Sequence, residues 1–213
     1  MNVLRTEAAP IERRREDLQS GRRLEYFTIG WNVLESVASV WAGLIAGSTS
    51  LVGFGVDAAI ESVSGIALLW RLHDAAHESS REVTALKIVG TSFVMLAAWV
   101  AYEAVESLIL REPSLSSPIG IAIASLSLVV MPWLARRKRQ VAARIQSRAL
   151  ESDSRQTALC AYLSAILLGG LLLNSVLGWW WADAVAALAM VPIIASEGFQ
   201  ALRGEQCETC SPA

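Results

Sequence analysis

Two carboxylates, Asp57 and Glu61, stand four residues apart inside the apolar stretch SLVGFGVDAAIESVSGIALLW. On a helix that spacing is a rotation of about 400°, so both project from one face, one above the other. Paired acids at this spacing can hold a cation or pass a proton. Further along, in ALESDSRQTALCAYLSAILLGGLLL, Asp153, Gln156 and Cys160 follow an i, i+3, i+7 pattern and share a face of their own. Together the two helices offer donors of mixed oxygen and sulfur character. Such a mixture suits zinc better than magnesium or calcium, which take oxygen only. The residues alone leave other roles open. Cys160 could be a small buried hydrophobe, and Asp153 could lie at the water boundary. Asp57 and Glu61 could be protonated and bonded to Ser62, Ser64 or a neighbouring helix.

The elements that position these residues are membrane spans. Of the 213 residues, 54% are hydrophobic and only 18% charged, with a formal net charge of -2 and a mean hydropathy of +0.43. That balance excludes a disordered chain, a nucleic-acid-binding tail and a small secreted scaffold. Apolar blocks run over 24–46, 51–70, 88–110, 118–134, 149–178 and 180–202. Five of them are about the 17–25 residues that ~30 Å of hydrocarbon requires, and 149–178 is longer with a polar start, so its helix is expected to project beyond the membrane. The expected fold is therefore an all-α membrane protein of six transmembrane helices. A polar segment (1–23) precedes this domain (24–202), and a short tail (203–213) with a Cys-x-x-Cys pair follows it. No signal peptide is evident in the Arg-rich first residues.

Orientation follows from the bases. Seventeen of the eighteen Lys and Arg fall in the amino-terminal stretch, the 71–87 and 135–155 connections and the tail, and Arg111 alone falls opposite. The positive-inside rule then puts both termini in the cytoplasm, and the run Arg136-Arg137-Lys138-Arg139 reads as a topology determinant in a cytoplasmic loop. No Lys or Arg is expected within a span. Glu61 and Cys160 both fall about ten residues into their spans, at a matching depth of roughly 15 Å. Without a basic partner, the natural compensator for the buried acids is an imported cation or a proton that alternates with one.

Other polar residues have candidate roles. Asn32 and Glu35, one turn apart in the first span, could line an ion path or relay a proton, and a bond from Glu35 to another helix is an equal alternative. Glu103 and Glu106 lie within reach of water at the outer end of the third span. Asp183 is placed to cap the sixth helix. His73 and His77, spaced i, i+4 just beyond the second span, and Cys207 and Cys210 in the tail could capture metal on the cytoplasmic side, or could be an inert loop and tail.

The stretch GSTSLVGFGVDAAIESVSGIALLW resembles the second transmembrane helix of cation diffusion facilitators, and ALESDSRQTALCAYLSAILLGGLLLNSVLGWWWADAVAALAMVPIIASEGFQAL resembles their fifth and sixth helices, with the Trp-Ala-Asp turn. The resemblance implies that Asp57 and Glu61 occupy the ligand positions of the second helix, with Glu in place of a second Asp. Gln156 and Cys160 fall where the family has His or Asp, then Asp, and Asp153 could substitute for the weak amide one turn away. The family usually carries a cytoplasmic metal-binding domain after the sixth helix, so this sequence looks like a short form. The implied activity is export of a divalent transition metal, zinc first and cobalt, cadmium, iron or manganese next. It would run by proton antiport in an integral, multi-pass membrane protein (of the plasma, or inner, membrane if bacterial), as a homodimer in the lipid bilayer, with no resident cofactor and no nucleic-acid partner. A membrane-embedded metal sensor without transport, or an intramembrane enzyme, would be the other classes. No Gly-rich phosphate loop points to direct ATP coupling.

Overall fold

The structure is a computed structural model that describes residues 3–73, 80–111 and 114–203. Six α-helices account for almost all of them: α1 (Val3–Ala46), α2 (Thr49–His73), α3 (Ser80–Leu110), α4 (Pro118–Ile145), α5 (Arg148–Leu177) and α6 (Ala182–Arg203). There is no strand among the described residues. Five helices carry stretches long and apolar enough to cross a membrane, within Glu16–Ala46, Gly90–Leu110, Pro118–Ile145, Asp153–Leu177 and Ala182–Arg203. With 25 residues α2 is long enough as well, at roughly 1.5 Å per residue.

The surface is that of an integral, multi-pass membrane protein. On α1 the side chains Val33, Leu34, Val37, Trp41, Leu44 and Ile45 are exposed, whereas Glu25, Thr28, Asn32, Glu35 and Ser39 are buried. The buried set recurs every three or four residues, so one face of α1 is a polar seam turned inward. A helix of a soluble protein has the opposite arrangement. Trp41 and Trp133 stand exposed, as aromatic residues at membrane–water boundaries do.

Local sequence explains where the helices stop. Gly47 at φ +62° ends α1 in the left-handed region open to glycine, and Gly178 ends α5 in the same way. The Ser117 hydroxyl accepts from the Gly120 amide with Pro118 in the first turn of α4, and Ser147 does the same for α5 through the Leu150 amide. Packing is pairwise: α1 lies chiefly against α2, α4 against α5 and α3 against α6. Lipid is as apolar as a leucine, so small residues that let backbones approach carry much of this association. A Cβ on Gly55 would lie 2.8 Å from the backbone nitrogen of Val40, which fixes how closely α1 and α2 cross.

The polar first residues are helical, since α1 runs on from Val3 without interruption. Three expectations change here. The 135–155 connection is not a loop. Helix continues to Ile145, turns through Gln146 and Ser147, and resumes at Arg148. Lys138 therefore sits in α4 and is fully buried, while Arg136, Arg137 and Arg139 face outward. The expectation that no base lies within a span is corrected accordingly. Asp183 does not simply cap its own helix. Its Oδ1 accepts the Ser48 hydroxyl at 2.6 Å and also the Ser50 hydroxyl, tying the start of α6 to the α1–α2 turn. Its position in the first turn of α6 still suits the positive end of that helix.

Candidate metal centre

Asp57 and Glu61 point from α2 into the interior, 6% and 4% exposed. They are one turn apart, as their spacing requires, and Gly53 and Gly55 on the same helix leave room for α3 and α1. Gln156 and Cys160 are one turn apart on α5. These four residues line a single cavity of about 10 Å³, with Phe93 of α3, Leu159 and Leu163 of α5, and Ile193, Ile194 and Glu197 of α6. That is room for about one water-sized occupant. No Lys or Arg is among the lining residues.

Glu61 and Cys160 face each other across the α2–α5 contact, Glu61 also lies in the field of Lys138 and Asp153, and its Oε1 is buried without a hydrogen-bond partner. Asp57 lies in the field of Glu61, Glu197 and Glu35. The centre thus gathers acids around one unsatisfied oxygen, Glu61 Oε1, with Lys138 outside the lining, a condition under which a cation is attracted. Among the described residues no three His, Cys, Asp or Glu side chains have closed to ligand distance around one point.

Asp153 shares the face of Gln156 and Cys160 but not their cavity. Its Oδ2 is 2.6 Å from the Lys138 ammonium, which also lies 2.9 Å from Glu25 Oε2 of α1 and 3.3 Å from the Thr157 hydroxyl. The mixed set expected from sequence is therefore divided. Asp153 belongs to a buried ion cluster one turn from the cavity. Gln156 and Cys160 belong to the cavity.

Glu35 accepts a hydrogen bond from the Ser127 hydroxyl of α4, which itself accepts from the Trp31 indole at 3.2 Å. Its Oε2 and both polar atoms of the Asn32 side chain are buried without hydrogen-bond partners. Both residues lie on the polar seam of α1 and outside the cavity lining. Glu103 and Glu106 are partly exposed on α3, in keeping with the interfacial reading. His73 ends α2 at the opposite end from the α1–α2 turn. His77, Cys207 and Cys210 lie outside the described residues.

Sequence reasoning passed over three residues here: Glu25, Lys138 and Glu197. A signal for each was present. Ser127, Met131, Leu134, Lys138 and Val141 keep one helical phase, as do Met190, Ile194, Glu197 and Ala201. Glu25 shares the phase of Asn32 and Glu35.

Comparison with known proteins agrees with this architecture. The model of the cation efflux transmembrane domain matches residues 26–204. The chain is similar to transmembrane protein 163 of Xenopus laevis, 24% identical over 182 residues that cover 84% of this chain and 65% of that protein. It is also similar to the cation-efflux pump FieF of Shewanella oneidensis, 23% identical over 74% of this chain and 56% of the pump. An uncharacterized transporter of Synechocystis, sll1263, is 26% identical over 68% of this chain and 50% of its own length. The chain thus spans about half to two thirds of the length of the curated relatives it matches.

Proposed function

The chain belongs to the cation efflux family, and from that premise we propose that it exports a divalent transition-metal ion, zinc first, from the cytoplasm in exchange for protons. One observation carries the reading: a buried cavity between α2 and α5, lined by Asp57, Glu61, Gln156 and Cys160 and by no base. Asp57, Glu61 and Cys160 hold the ion, with the Gln156 amide as a weak fourth donor. Asp153 is left out of the set, because Lys138 already engages it. Six spans with both termini in the cytoplasm complete the reading, and so does pairing into a homodimer.

The chemistry of the donors supports exchange for protons. A carboxylate or thiol binds metal only after losing its proton, so metal and proton compete for the same atoms. Access from the cytoplasm loads the ion. Access from the other side lets protons take the oxygens and the sulfur, and the ion leaves. Only a site that changes sides achieves net transport, because a fixed site would merely buffer metal. Coupling of opposite gradients follows when the empty, unprotonated site does not change sides, since burying several unpaired carboxylates is costly.

Flux in proteoliposomes with an imposed pH gradient tests this. Purified protein should move zinc toward the acidic compartment, and Asp57→Ala or Glu61→Ala should abolish the movement. Zinc binding without movement under either gradient would leave a membrane-embedded sensor and sink the transport reading. Undiminished flux in both variants would remove the site.

A further inference from the structure

The cavity has a fifth polar wall that the donors of α2 and α5 do not include. Glu197 of α6 is 8% exposed, lines the cavity and lies in the field of Glu61. Glu61 Oε1, itself buried and unpartnered, lines the same space. Burying several carboxyls around one small cavity is costly unless a cation compensates them, and Asp57, Glu61 and Glu197 all line this one.

Helix α6 is held so that Glu197 cannot easily turn away. At the adjacent residue its backbone touches α3: a Cβ on Gly198 would lie 3.0 Å from the Gly90 carbonyl oxygen, and a Cβ on Gly90 would lie 2.9 Å from that of Gly198. The close crossing fixes the rotation of α6 at the point where Glu197 leaves it. Met190, Ile194 and Ala201 occupy the same buried face.

We propose that Glu197 is a further ligand of the transported ion, supplied by α6, and that it makes the site oxygen-rich enough to take harder divalent cations of the manganese class beside zinc. The proposal rests on the reading of the cavity as the transport site. Three carboxylates and an amide oxygen outnumber the single thiol, and oxygen donors suit manganese whereas sulfur suits zinc and cadmium. It also has a mechanical side. Asp57 and Glu61 come from the α1–α2 pair, Cys160 from the α4–α5 pair and Glu197 from the α3–α6 pair. An ion bound to all of them joins the three helix pairs, so occupancy of the site bears directly on their relative position.

Binding of manganese and of cadmium to the purified full chain, measured by titration calorimetry, tests the assignment. Glu197→Gln preserves shape and removes the charge. It should weaken manganese about tenfold or more and cadmium by less than about threefold. Equal affinities in Glu197→Gln and the parent, or an equal loss for both metals, would overturn the proposal. Asp57→Ala reports on the underlying reading separately: it should lose both metals, and its retention of both would mean that the cavity is not the site at all. Should Glu197→Gln not purify as a folded chain, Glu197→Asp is read in its place. The shorter carboxylate should cost manganese about threefold or more with cadmium unchanged, and unchanged manganese affinity would overturn the assignment.

Discussion

The buried ammonium of Lys138 gives a demanding test of how this bundle is held together. Its Nζ is 2.9 Å from Glu25 Oε2 and 2.6 Å from Asp153 Oδ2, and the lysine is fully buried. It thereby connects α4 with α1 and α5. Replacement by Met keeps most of the stem and deletes the charge, leaving two carboxylates buried without a cation. Removing one partner of a buried ion pair costs about 3–5 kcal/mol, because the remaining charge is uncompensated. For a chain of this length each kcal/mol moves the melting temperature by about 2–4 °C. Lys138→Met should therefore melt about 6–20 °C below the parent, followed in detergent by the fluorescence of the eight tryptophans. The cause is checked by removing the stranded charges. Glu25→Gln and Asp153→Asn added to Lys138→Met should recover at least about half of the loss, since a neutral replacement of a buried ion cluster is often tolerated. A Lys138→Met protein that melts within about 2 °C of the parent would refute the reasoning, as would a triple variant no more stable than the single one.

Four further outcomes are expected. Cys160→Ser should weaken cadmium and zinc about tenfold while changing manganese by less than about threefold, read by competition binding, because a hydroxyl is a hard donor in place of a soft one. Added metal should stabilise the protein by about 2.7 kcal/mol at a hundredfold excess over Kd near pH 8, and that gain should shrink as the pH falls toward about 5.5. The sign follows from competition: protons fill the ligand atoms as pH drops, so metal affinity falls with it, and a melting-temperature series with and without zinc reads it. Gly55→Ala should destabilise by about 1–3 kcal/mol in the same melting assay, since its Cβ would meet the Val40 backbone at 2.8 Å. Asp183→Ala should cost about 1.5–3 kcal/mol by stranding the Ser48 and Ser50 hydroxyls where α6 meets the α1–α2 turn, with metal affinity unchanged.

Much of the molecule is legible in its residue order. Apolar blocks predict six helices, and the i, i+4 pair of acids predicts two carboxylates on one inward face of α2. The same spacing places Gln156 and Cys160 together. What composition hides is helical phase across a change of character. In Arg136-Arg137-Lys138-Arg139 every residue counts equally toward charge, yet only Lys138 continues the buried stripe of α4. Hydropathy ends the span at 134, while the backbone has no reason to stop before Gln146 takes a left-handed conformation at φ 55°. Asp153 shows the complementary limit. Its register with Gln156 and Cys160 is correct, but register cannot reveal a lysine arriving from another helix. Glu197 escapes notice because it stands alone on α6, without the paired spacing that draws attention to Asp57 and Glu61.

The inward polar seam of α1 also bears on how the chain enters the bilayer. Glu25, Asn32 and Glu35 on α1, with Asp57 and Glu61 on α2, make these two helices poor candidates for solitary insertion, since an Asp at mid-membrane disfavours insertion by about 2.5–3.5 kcal/mol. Helix α1 packs against α2 and α4, Asp57 and Glu61 of α2 face the cavity with α5 and α6, and the turn joining α1 to α2 is only Gly47 and Ser48. A turn that short lets both arms arrive as a hairpin, with one side of the α1 seam covered by α2 from the start. It also means that α1 still presents an open flank until α4 is made, so its seam closes only when α4 arrives.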